Sequence, residues 1–254
     1  NILNFCQDYK MKNYKISIIT VTKNSEKYLS ENIKSILTQN YKNYEHIIVD
    51  GNSTDKTIKI AQSYNKKIRL IKNKNDKGLY HAMNVGIKSA KGDIIGILNS
   101  DDVYYKNTLK IVNKYFSKQK DLDFLFGSVI KHKLLFGYNP WKINFSFGFY
   151  STHSVGFFIK RKSQIKIGLY KLKYKYSADY DLFLRMIKKY ELKGLASKKS
   201  EIFGKFRPGG LSSRIKFSDY LNECNKIRID NGQNIIFVYL IFLLRVLYNF
   251  KKFF

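Results

Sequence analysis

Two adjacent carboxylates after a short apolar segment are the residues with the clearest potential for chemistry. Asp101 and Asp102 follow the apolar residues 94–98 and the polar pair Asn99 and Ser100. Short apolar runs are typical of buried strands in parallel sheets, and ligands of open α/β sheets bind beyond the carboxyl ends of such strands. Oxygen ligands of this kind suit Mg²⁺ or Mn²⁺, which commonly joins one or two carboxylates to substrate phosphates. The same four residues also favour a turn or a helix N-cap, so both interpretations are open.

The elements that must position this pair follow from apolar periodicity. Dense β-branched residues predict strands, apolar residues at helical spacing predict helices between them, and Gly92 is expected to cap the third helix. Strands that alternate with helices of this length predict βαβ units and a parallel sheet. The alternation stops after residue 130, beyond which one more strand and a helix from Asp179 are predicted. The predicted strands are residues 14–21, 45–49, 68–71, 94–98, 122–129 and 152–159.

Polar residues recur wherever one of the first four strands ends. They lie at residues 22–24, 50–55, 73–78 and 99–102. Because the carboxyl ends of parallel strands share one edge of the sheet, we expect Asp50, Asp76, Asp101 and Asp102 to converge. Neither GxGxxG nor GxxxxGK[ST] follows the first strand, which argues against a dinucleotide site of the Rossmann type and against a P-loop.

The composition indicates one α/β domain with an appendage and an anionic partner. The chain has 254 residues, is 44% hydrophobic and carries a formal net charge of +28. Such a charge predicts nucleic acid, an anionic membrane or phosphorylated substrates as partners, although a compositional bias toward Lys, Asn and Ile is the alternative. Cys6 and Cys224 are far apart and have no metal-ligand spacing, and residues 1–10 are too polar for a signal peptide. A reducing, cytoplasmic location is therefore expected.

Four segments, in this order, resemble the nucleotide-sugar-binding half of the inverting glycosyltransferases of family 2. They are SIITVTKN (17–24), VDGNSTDKT (49–57), DKGLYHAMN (76–84) and GDIIGILNSDD (92–102). Residues 153–161, 168–185 and 209–212 resemble the acceptor half, and the bacterial surface-polysaccharide members are the most similar type. The resemblance implies the α/β GT-A fold, a Rossmann-like, mainly parallel sheet flanked by helices, with a helical C-terminal tail. The implied division is an extension (1–13), a donor half (14–130), an acceptor half (131–215) and a basic, apolar tail (216–254).

The resemblance also implies a set of donor contacts at the strand ends. UDP-sugars are the commonest donors of the family, and Asp101 matches the direct ligand of its Mn²⁺ or Mg²⁺ ion. Asn99 stands where the family often has the first Asp of Asp-x-Asp-Asp, so an acceptor oxygen is kept and a charge is lost. The positions that match donor-binding residues are Thr20, Val21, Thr22, Asn24, Asp50, Ser53, Asp76, Lys77, Gly78, Asn84, Asn99, Ser100 and Asp101.

On the acceptor side, Asp179 matches the catalytic base of the family. Ala178 stands where an acid commonly precedes that base, and Asp181 is an alternative two residues further on. An Asp at the start of a helix is also a plain N-cap. His153 matches an acceptor-side histidine of some members, with a core histidine as the alternative, and Asp102 is a further acceptor-side candidate.

Sugar transfer would require both groups of residues. A cation at Asp101 would stabilise the leaving diphosphate as a Lewis acid, and Asp179 would deprotonate an attacking hydroxyl, an effect typically of about 10²–10⁴-fold. Inversion in a single displacement, and a glycan or lipid-linked acceptor, are what the resemblance implies.

Two other classes of protein fit the sequence less well. A nucleic-acid-binding protein would explain the charge, but no helix-turn-helix, RRM or KH pattern is found, and convergent carboxylates without a metal would repel phosphates. No nucleic-acid partner is therefore expected. A sugar-phosphate nucleotidyltransferase would carry a glycine-rich loop after its first strand, and residues 22–26 contain no glycine.

The C-terminal tail contains ten consecutive apolar residues, 235–244. This length is half of the about 20 residues that span a bilayer, whereas aromatic residues beside Arg245, Lys251 and Lys252 suit a helix in the interface of an anionic membrane. The alternative is a helix packed on the domain or on a second subunit. The tail thus predicts a peripheral protein on the inner face of the cytoplasmic membrane. The sequence does not predict its oligomeric state.

Overall fold

The computed structural model describes residues 12–64, 66–210 and 215–249. Cys6, most of the expected N-terminal extension, Leu211, Ser212 and the last lysines of the tail lie outside these residues. The strands are β1 (Ile16–Thr22), β2 (Tyr44–Asp50), β3 (Arg69–Lys72), β4 (Ile94–Ile97), β5 (Val103–Tyr104), β6 (Phe124–Phe126), β7 (Ser128–Ile130), β8 (Leu134–Leu135), β9 (Phe157–Lys160), β10 (Gly194–Ala196) and β11 (Ile202–Lys205).

The helices alternate with the first strands and then form the C-terminal tail. They are α1 (Leu29–Leu37), α2 (Thr57–Gln62), α3 (Leu79–Ser89), α4 (Thr108–Lys118), α5 (Arg161–Ile167), α6 (Ala178–Leu184), α7 (Phe217–Asp230) and α8 (Ile235–Tyr248). A 3₁₀ helix, Pro140–Phe145, follows β8, and a π-helical turn, Arg185–Lys189, continues α6.

A large sheet forms the centre of the domain and confirms the predicted fold class. Among the described residues its strand order is β10-β6-β9-β4-β1-β2-β3. Strands β4, β1, β2 and β3 run parallel to one another, and β9 is antiparallel to both β4 and β6. Every residue of β1 and β4 is buried, as expected for strands whose two faces are both covered by helices.

Each face of the sheet has its own core. Ile19 and Val21 of β1 pack in the cluster that contains Met83 and Ile87 of α3. The alternate residues Ile16 and Ile18 belong to the cluster of Leu109, Val112 and Phe116 of α4. Alternate residues of β1 therefore pack against two different helical layers. The sheet is held between these layers, and the polar residues at its edge are held with it.

One predicted strand was wrong in a way that matters for the fold. Residues 122–129 form two strands, β6 and β7, which belong to different sheets: β7 pairs in the small sheet β5-β11-β7-β8. The chain changes sheet at Gly127, where a β-carbon would overlap the ring of Phe203. Apolar periodicity continues through this point, so the sequence pattern contains no sign of the change.

Two smaller expectations were also wrong. Helix α3 ends at Ser89 with Ala90 after it, so Gly92 does not cap it. Gly92 is required for close packing instead, because a β-carbon there would lie 2.6 Å from Ser17 Oγ. The strand predicted at 152–159 is shorter than expected, because β9 begins only at Phe157. A turn precedes it, in which Val155 has a φ of 69°.

The tail is helical as predicted. Helix α8 contacts α7 and buries Val238 and Ile241. Within the described residues, no helix combines the length and the apolar character needed to cross a membrane.

His46 on β2 gives the fold a testable sensitivity to acid. The ring is 2% exposed, its Nε2 lies 3.0 Å from Thr20 Oγ1, and burial lowers its pKa to about 3. The unfolded chain takes up a proton at this histidine below about pH 6.5, whereas the folded chain does not. We therefore expect this residue to lower the free energy of unfolding by about 1.4 kcal/mol per pH unit below that value.

Chemical denaturation between pH 7.5 and 5 tests this expectation. The variant His46→Gln should lose stability less steeply than the parent chain below about pH 6.5, with parallel curves above it. Equal slopes in the acid range would contradict the assignment.

Candidate functional site

The carboxyl ends of β1, β2 and β4 lie side by side at one edge of the large sheet. Thr22 is in register with Asp50, and Ile19 with Ile97. The Thr22 hydroxyl donates to Asp50 Oδ2 over 2.9 Å. The polar residues that follow β1, β2 and β4 therefore lie at one edge of the sheet, as expected, and β1 is the central strand of the three.

Asp50 is a buried and fully hydrogen-bonded carboxylate. It is 1% exposed, and the amide and hydroxyl of Ser53 donate to its two oxygens over 2.9 and 2.6 Å. Ser53 Oγ in turn accepts from the amide of Asn24, which has a φ of 50°. These bonds join the ends of β1 and β2 into one rigid corner.

Asp76 extends this corner from the loop after β3. Its Oδ2 lies 3.2 Å from Lys23 Nζ, and its Oδ1 accepts from the amide of Gly78 over 3.0 Å. A β-carbon on Gly51 would lie 2.8 Å from Asp76 Oδ2, so this side chain reaches the residue next to Asp50. Gly78 has a φ of 101°, a conformation that favours glycine. Asp50 and Asp76 thus converge as predicted.

The side chains of three donor-side candidates make their contacts inside the protein. Thr20 is buried against His46, and Val21 packs in the core. The side-chain amide of Asn84 donates to the carbonyl oxygen of Tyr170 over 2.9 Å and accepts from the backbone N–H of Tyr170 over 3.0 Å. Asn84 therefore ties α3 to the loop before α6, while Lys77 is exposed beside Gly78.

The two adjacent carboxylates after β4 point into different environments. Asp102 is fully buried, and it accepts from the Ser154 hydroxyl over 2.6 Å and from the Arg207 amide over 2.9 Å. Burial, and then the charge of Asp101, raise the pKa of Asp102 to about 7. Asp101 is only partly buried. The first of the pair is partly exposed, and the second holds the loop together.

The turn that carries Asp101 is fixed by side chains from α1 and from the loop before it. The side-chain amide of Asn32 donates to the backbone carbonyl oxygens of Asn99 and Asp102 over 2.8 and 2.9 Å. Ser100 Oγ donates to Ser25 Oγ over 2.9 Å. The polar end of β4 is consequently held against the end of β1.

The oxygen atoms of this turn fit a divalent cation bound through a single carboxylate. Burial raises the pKa of Asp101, and Asn99 Oδ1 is a buried acceptor without a hydrogen-bond partner in the described chain. The part of the protein that the structure describes contains no group of three or more His, Cys, Asp or Glu residues suited to an ion. A cation here would take Asp101, with Asn99 Oδ1 as a further protein oxygen, and complete its coordination with ligand phosphates and water.

Asp179 lies on the first turn of α6, where Ser177 occupies the N-cap position. Its Oδ1 accepts from the Tyr80 hydroxyl over 3.1 Å and from the amide of Tyr180 over 3.0 Å. Within the described residues, its Oδ2 makes no hydrogen bond or ion pair. A partly exposed carboxylate whose second oxygen has no partner among the described residues can accept a proton from a bound hydroxyl group.

The other acceptor-side candidates are buried. Asp181 is fully buried and bonds Arg185 Nε over 2.8 Å and Lys171 Nζ over 2.9 Å. His153 Nε2 lies 2.6 Å from the hydroxyl of Tyr170, and burial lowers the pKa of His153. In this structure Asp181 is an interior ion-pair residue, and the surroundings of His153 are those of a core histidine.

Sequence reasoning missed four residues that hold the site: Ser154, Arg207, Tyr80 and Glu223. The Arg207 guanidinium lies 4.4 Å from the Tyr28 ring centroid and bonds Glu31 over 2.6 Å, which closes the 206–210 loop onto α1. Tyr80 and Ser154 lie within the segments 76–84 and 153–161 and so had a signal, whereas Arg207 and Glu223 are recognisable only from their contacts.

Glu223 on α7 supports the segment that leads into Asp179. Its carboxylate accepts from three successive amides, those of Lys175, Tyr176 and Ser177, over 2.5, 2.7 and 2.8 Å. Bonds to an ionised acceptor are about twice as strong as neutral ones. Helix α7 thereby fixes the backbone immediately before α6.

Comparison with known proteins places these residues in a family context. The family model described as glycosyl transferase family 2 matches residues 17–183. The chain is 36% identical over 190 residues to an uncharacterized glycosyltransferase of Rickettsia typhi, which covers 68% of this chain and 58% of that protein. It is 34% identical over 119 residues to the Escherichia coli UDP-Glc:alpha-D-GlcNAc-diphosphoundecaprenol beta-1,3-glucosyltransferase WfgD, with 46% and 47% covered. The chain spans about half the length of the curated relatives it matches.

Solved structures share the fold at low sequence identity. Staphylococcus aureus TarS 1–349 in complex with UDP-GlcNAc superposes with a TM-score of 0.65 at 19% identity, over 89% of this chain and 70% of that one. The mannosyltransferase PcManGT of Pyrobaculum calidifontis, in complex with GDP-Man and Mn²⁺, gives 0.67 at 14% identity, over 94% and 71%.

Replacement of Glu223 tests how strongly the segment that leads into Asp179 depends on α7. We expect Glu223→Ala to lower the free energy of unfolding by about 1–3 kcal/mol, because three amides, two of them in partly buried hydrogen bonds, lose a charged acceptor. Glu223→Gln keeps one acceptor oxygen and should lie between this variant and the parent chain in urea denaturation.

Asn222→Ala is the matched control, since Asn222 is exposed on the same helix and its loss should cost less than about 0.5 kcal/mol. Equal stability of Glu223→Ala and the control would show that the three bonds contribute nothing net.

Proposed function

The chain belongs to glycosyltransferase family 2, and from this membership we propose that it transfers a sugar from a nucleoside-diphosphate donor to an acceptor hydroxyl. The observation that carries the proposal is the convergence of three strand ends. They bring the corner of Asp50 and Asp76 to the same edge as the turn of Asp101. Helix α3 begins at this corner and contacts Asp179 within its first turn. Donor and base residues are thus joined by short, rigid connections.

The nucleoside would bind at the Asp50 corner and the diphosphate at the Asp101 turn. Asn24, Ser53, Asp76 and Gly78 form the surface of that corner, with Thr22 buried against Asp50. Asn99 and Ser100 lead from the corner to Asp101. A UDP-sugar is the favoured donor. The net charge of +28 would attract such an anion over the whole surface.

Asp101 would hold Mn²⁺ or Mg²⁺, with Asn99 Oδ1, two residues earlier in the chain, as the second protein oxygen. Such an ion supplies Lewis-acid stabilisation of the negative charge that develops on the departing diphosphate. The protein contributes a carboxylate whose pKa is raised by burial, so a cation that replaces its lost hydration is favourable.

Asp179 would act as the general base. Its Oδ1 is held by Tyr80, and its Oδ2 is free for the acceptor hydroxyl, whose proton it would take as the oxygen attacks the anomeric carbon. One base opposite one leaving group gives a single displacement with inversion. Asp102, Asp181 and His153 would act through the packing of the site, since all three are buried.

The two proposed halves would work as one domain. Strand β9 belongs to the acceptor half, residues 131–215, yet it lies between β4 and β6 of the donor half, residues 14–130. The acceptor itself would be a glycan or a lipid-linked glycan.

Helix α8, in the proposed tail 216–254, supports an acceptor at an anionic membrane. Its only charged residue, Arg245, faces the domain, where it bonds Ser146 Oγ over 2.6 Å and lies 5.2 Å from the Phe147 ring. The outward arc is apolar throughout, and each of its side chains is more than half exposed: Ile235, Ile236, Tyr239, Leu240, Leu243, Leu244, Leu247 and Tyr248.

Basic residues line a cleft at the start of α8. The cleft, of about 420 Å³, is lined by residues 231–233, which lead into α8, by Asp230, and by Lys171, Arg185, Lys188 and Lys189. Lys171 and Arg185 are paired with Asp181, so Lys188 and Lys189 supply the positive charge at this place. Phe237 of α8 also contacts Phe145, which contacts the exposed Trp141. An apolar face with basic and aromatic neighbours suits a phospholipid surface of negative charge, and the inner face of the cytoplasmic membrane is the proposed location.

The metal and donor roles can be tested with Asp101→Asn, which keeps the shape of the side chain and removes its charge. UDP-glucose and UDP-GlcNAc should raise the melting temperature of the parent chain more in Mn²⁺ than in EDTA, by mass action. We expect Asp101→Asn to lose the Mn²⁺-dependent part and at least about 100-fold in turnover.

Asp121→Asn is the matched control, because Asp121 is exposed and distant in the fold. Asn99→Asp supplies the opposite change and should strengthen Mn²⁺ binding. Full activity of Asp101→Asn would refute the role of this carboxylate.

The membrane role predicts that the outward arc of α8 controls partitioning. The parent chain should float with phosphatidylglycerol vesicles and less with phosphatidylcholine vesicles, whereas Leu243→Glu combined with Leu247→Glu should remain unbound. Ile165→Glu, at an exposed apolar position on α5, is the control. Unchanged flotation of the double variant would exclude the lipid surface as the partner of α8. If light scattering shows a dimer of the parent chain and a monomer of the double variant, a second copy of the chain covers the outward arc.

A further inference from the structure

Tyr80 connects the donor corner to Asp179 through a single turn of helix. It lies on the first turn of α3, two residues after Gly78, whose amide bonds Asp76. Its hydroxyl is 3.1 Å from Asp179 Oδ1 and 3.0 Å from the carbonyl oxygen of Tyr176. The side chain is 8% exposed and its ring centroid lies 5.4 Å from that of Tyr170, so the hydroxyl has little freedom to move.

The groups that face Asp179 are neutral at pH 7. Its charge acts on Tyr80 of α3, Tyr150 and His153 before β9, Tyr170 after α5, and Tyr220 and Cys224 of α7. Within the described residues, no Lys or Arg forms an ion pair with Asp179, and Tyr80 is the only side chain that donates to it. Among the described residues, this carboxylate therefore accepts from one backbone amide and from one phenol, whose single proton lies between Asp179 Oδ1 and the carbonyl oxygen of Tyr176.

We propose that Tyr80 is a positioning residue that fixes the orientation of Asp179 and stabilises its ionised form. This inference rests on the proposed role of Asp179 as the base. The hydroxyl occupies Oδ1 and leaves Oδ2 for the acceptor. Asn84, one turn further along α3, bonds the backbone of Tyr170, so the same face of α3 holds both loops that surround the base.

The physical consequence has a definite sign. A hydrogen bond to the charged form of an acid lowers its pKa. Removal of the Tyr80 hydroxyl should therefore raise the pKa of Asp179, and the acid limb of the pH–rate profile should move to higher pH.

Tyr80→Phe tests this without loss of the buried ring. In protein labelled with ¹³C at the aspartate carboxyl groups, the Asp179 signal is assigned by its absence from Asp179→Asn. We expect its titration midpoint to rise by about 1 pH unit in Tyr80→Phe, whereas an unchanged midpoint would overturn the proposal. Tyr170→Phe is the control: it removes a neighbouring phenol that does not bond Asp179, and it should leave the midpoint unchanged.

Kinetics provide the second measurement. With UDP-glucose and water or added glycan as acceptor, Tyr80→Phe should shift the acid limb of kcat by the same amount as the carboxyl titration, with donor KM within about twofold. A uniform loss of kcat at every pH would indicate a structural role only. If Asp179→Asn keeps full activity, the base assignment fails, whereas the carboxyl titration still decides the Tyr80 contact.

Discussion

The parallel pairing of β1 with β2 and β4 is the constraint on which the site depends. It sets Thr22 beside Asp50 and brings the turn after β4 to the same edge. Because these strands are buried on both faces, their register cannot shift without exposing a core. The polar ends therefore occupy fixed positions before any ligand arrives. Gly51 and Gly78 complete the corner, one by leaving room for Asp76 and the other by its positive φ.

The adjacent carboxylates after β4 show how the loop resolves an unfavourable pair of charges. Two neighbouring carboxylates in a partly dry site disfavour each other's ionisation. Here the chain buries Asp102 against Ser154 and Arg207 and leaves Asp101 partly exposed. The buried member ties three distant segments together. The same dipeptide thus supplies a structural carboxylate and the carboxylate for which we propose a role in binding the ligand.

Helices α3 and α7 determine the second half of the site. Helix α3 reaches Asp179 through Tyr80, and α7 supports the preceding backbone through Glu223. The segment that carries Asp179 is thereby held from two sides. Helix α8 turns its one cation inward onto Ser146 and presents an apolar arc outward. This is the reverse of a helix that packs its apolar face on its own domain.

The sequence by itself determined the order of the first strands and helices, the positions of their polar ends and the family. Those features depend on local periodicity and on spacing over a few residues, and in a parallel sheet the topology alone brings consecutive strand ends together. Only the tertiary structure decided which way each carboxylate faces, where the chain changes sheet at Gly127, and which residues hold Asp179. These outcomes depend on pairs 46 to 105 positions apart, such as Ser177 with Glu223 and Asp102 with Arg207. Contacts at such separations leave no periodic pattern in the sequence, because packing between elements, and not the propensity of either element, selects them.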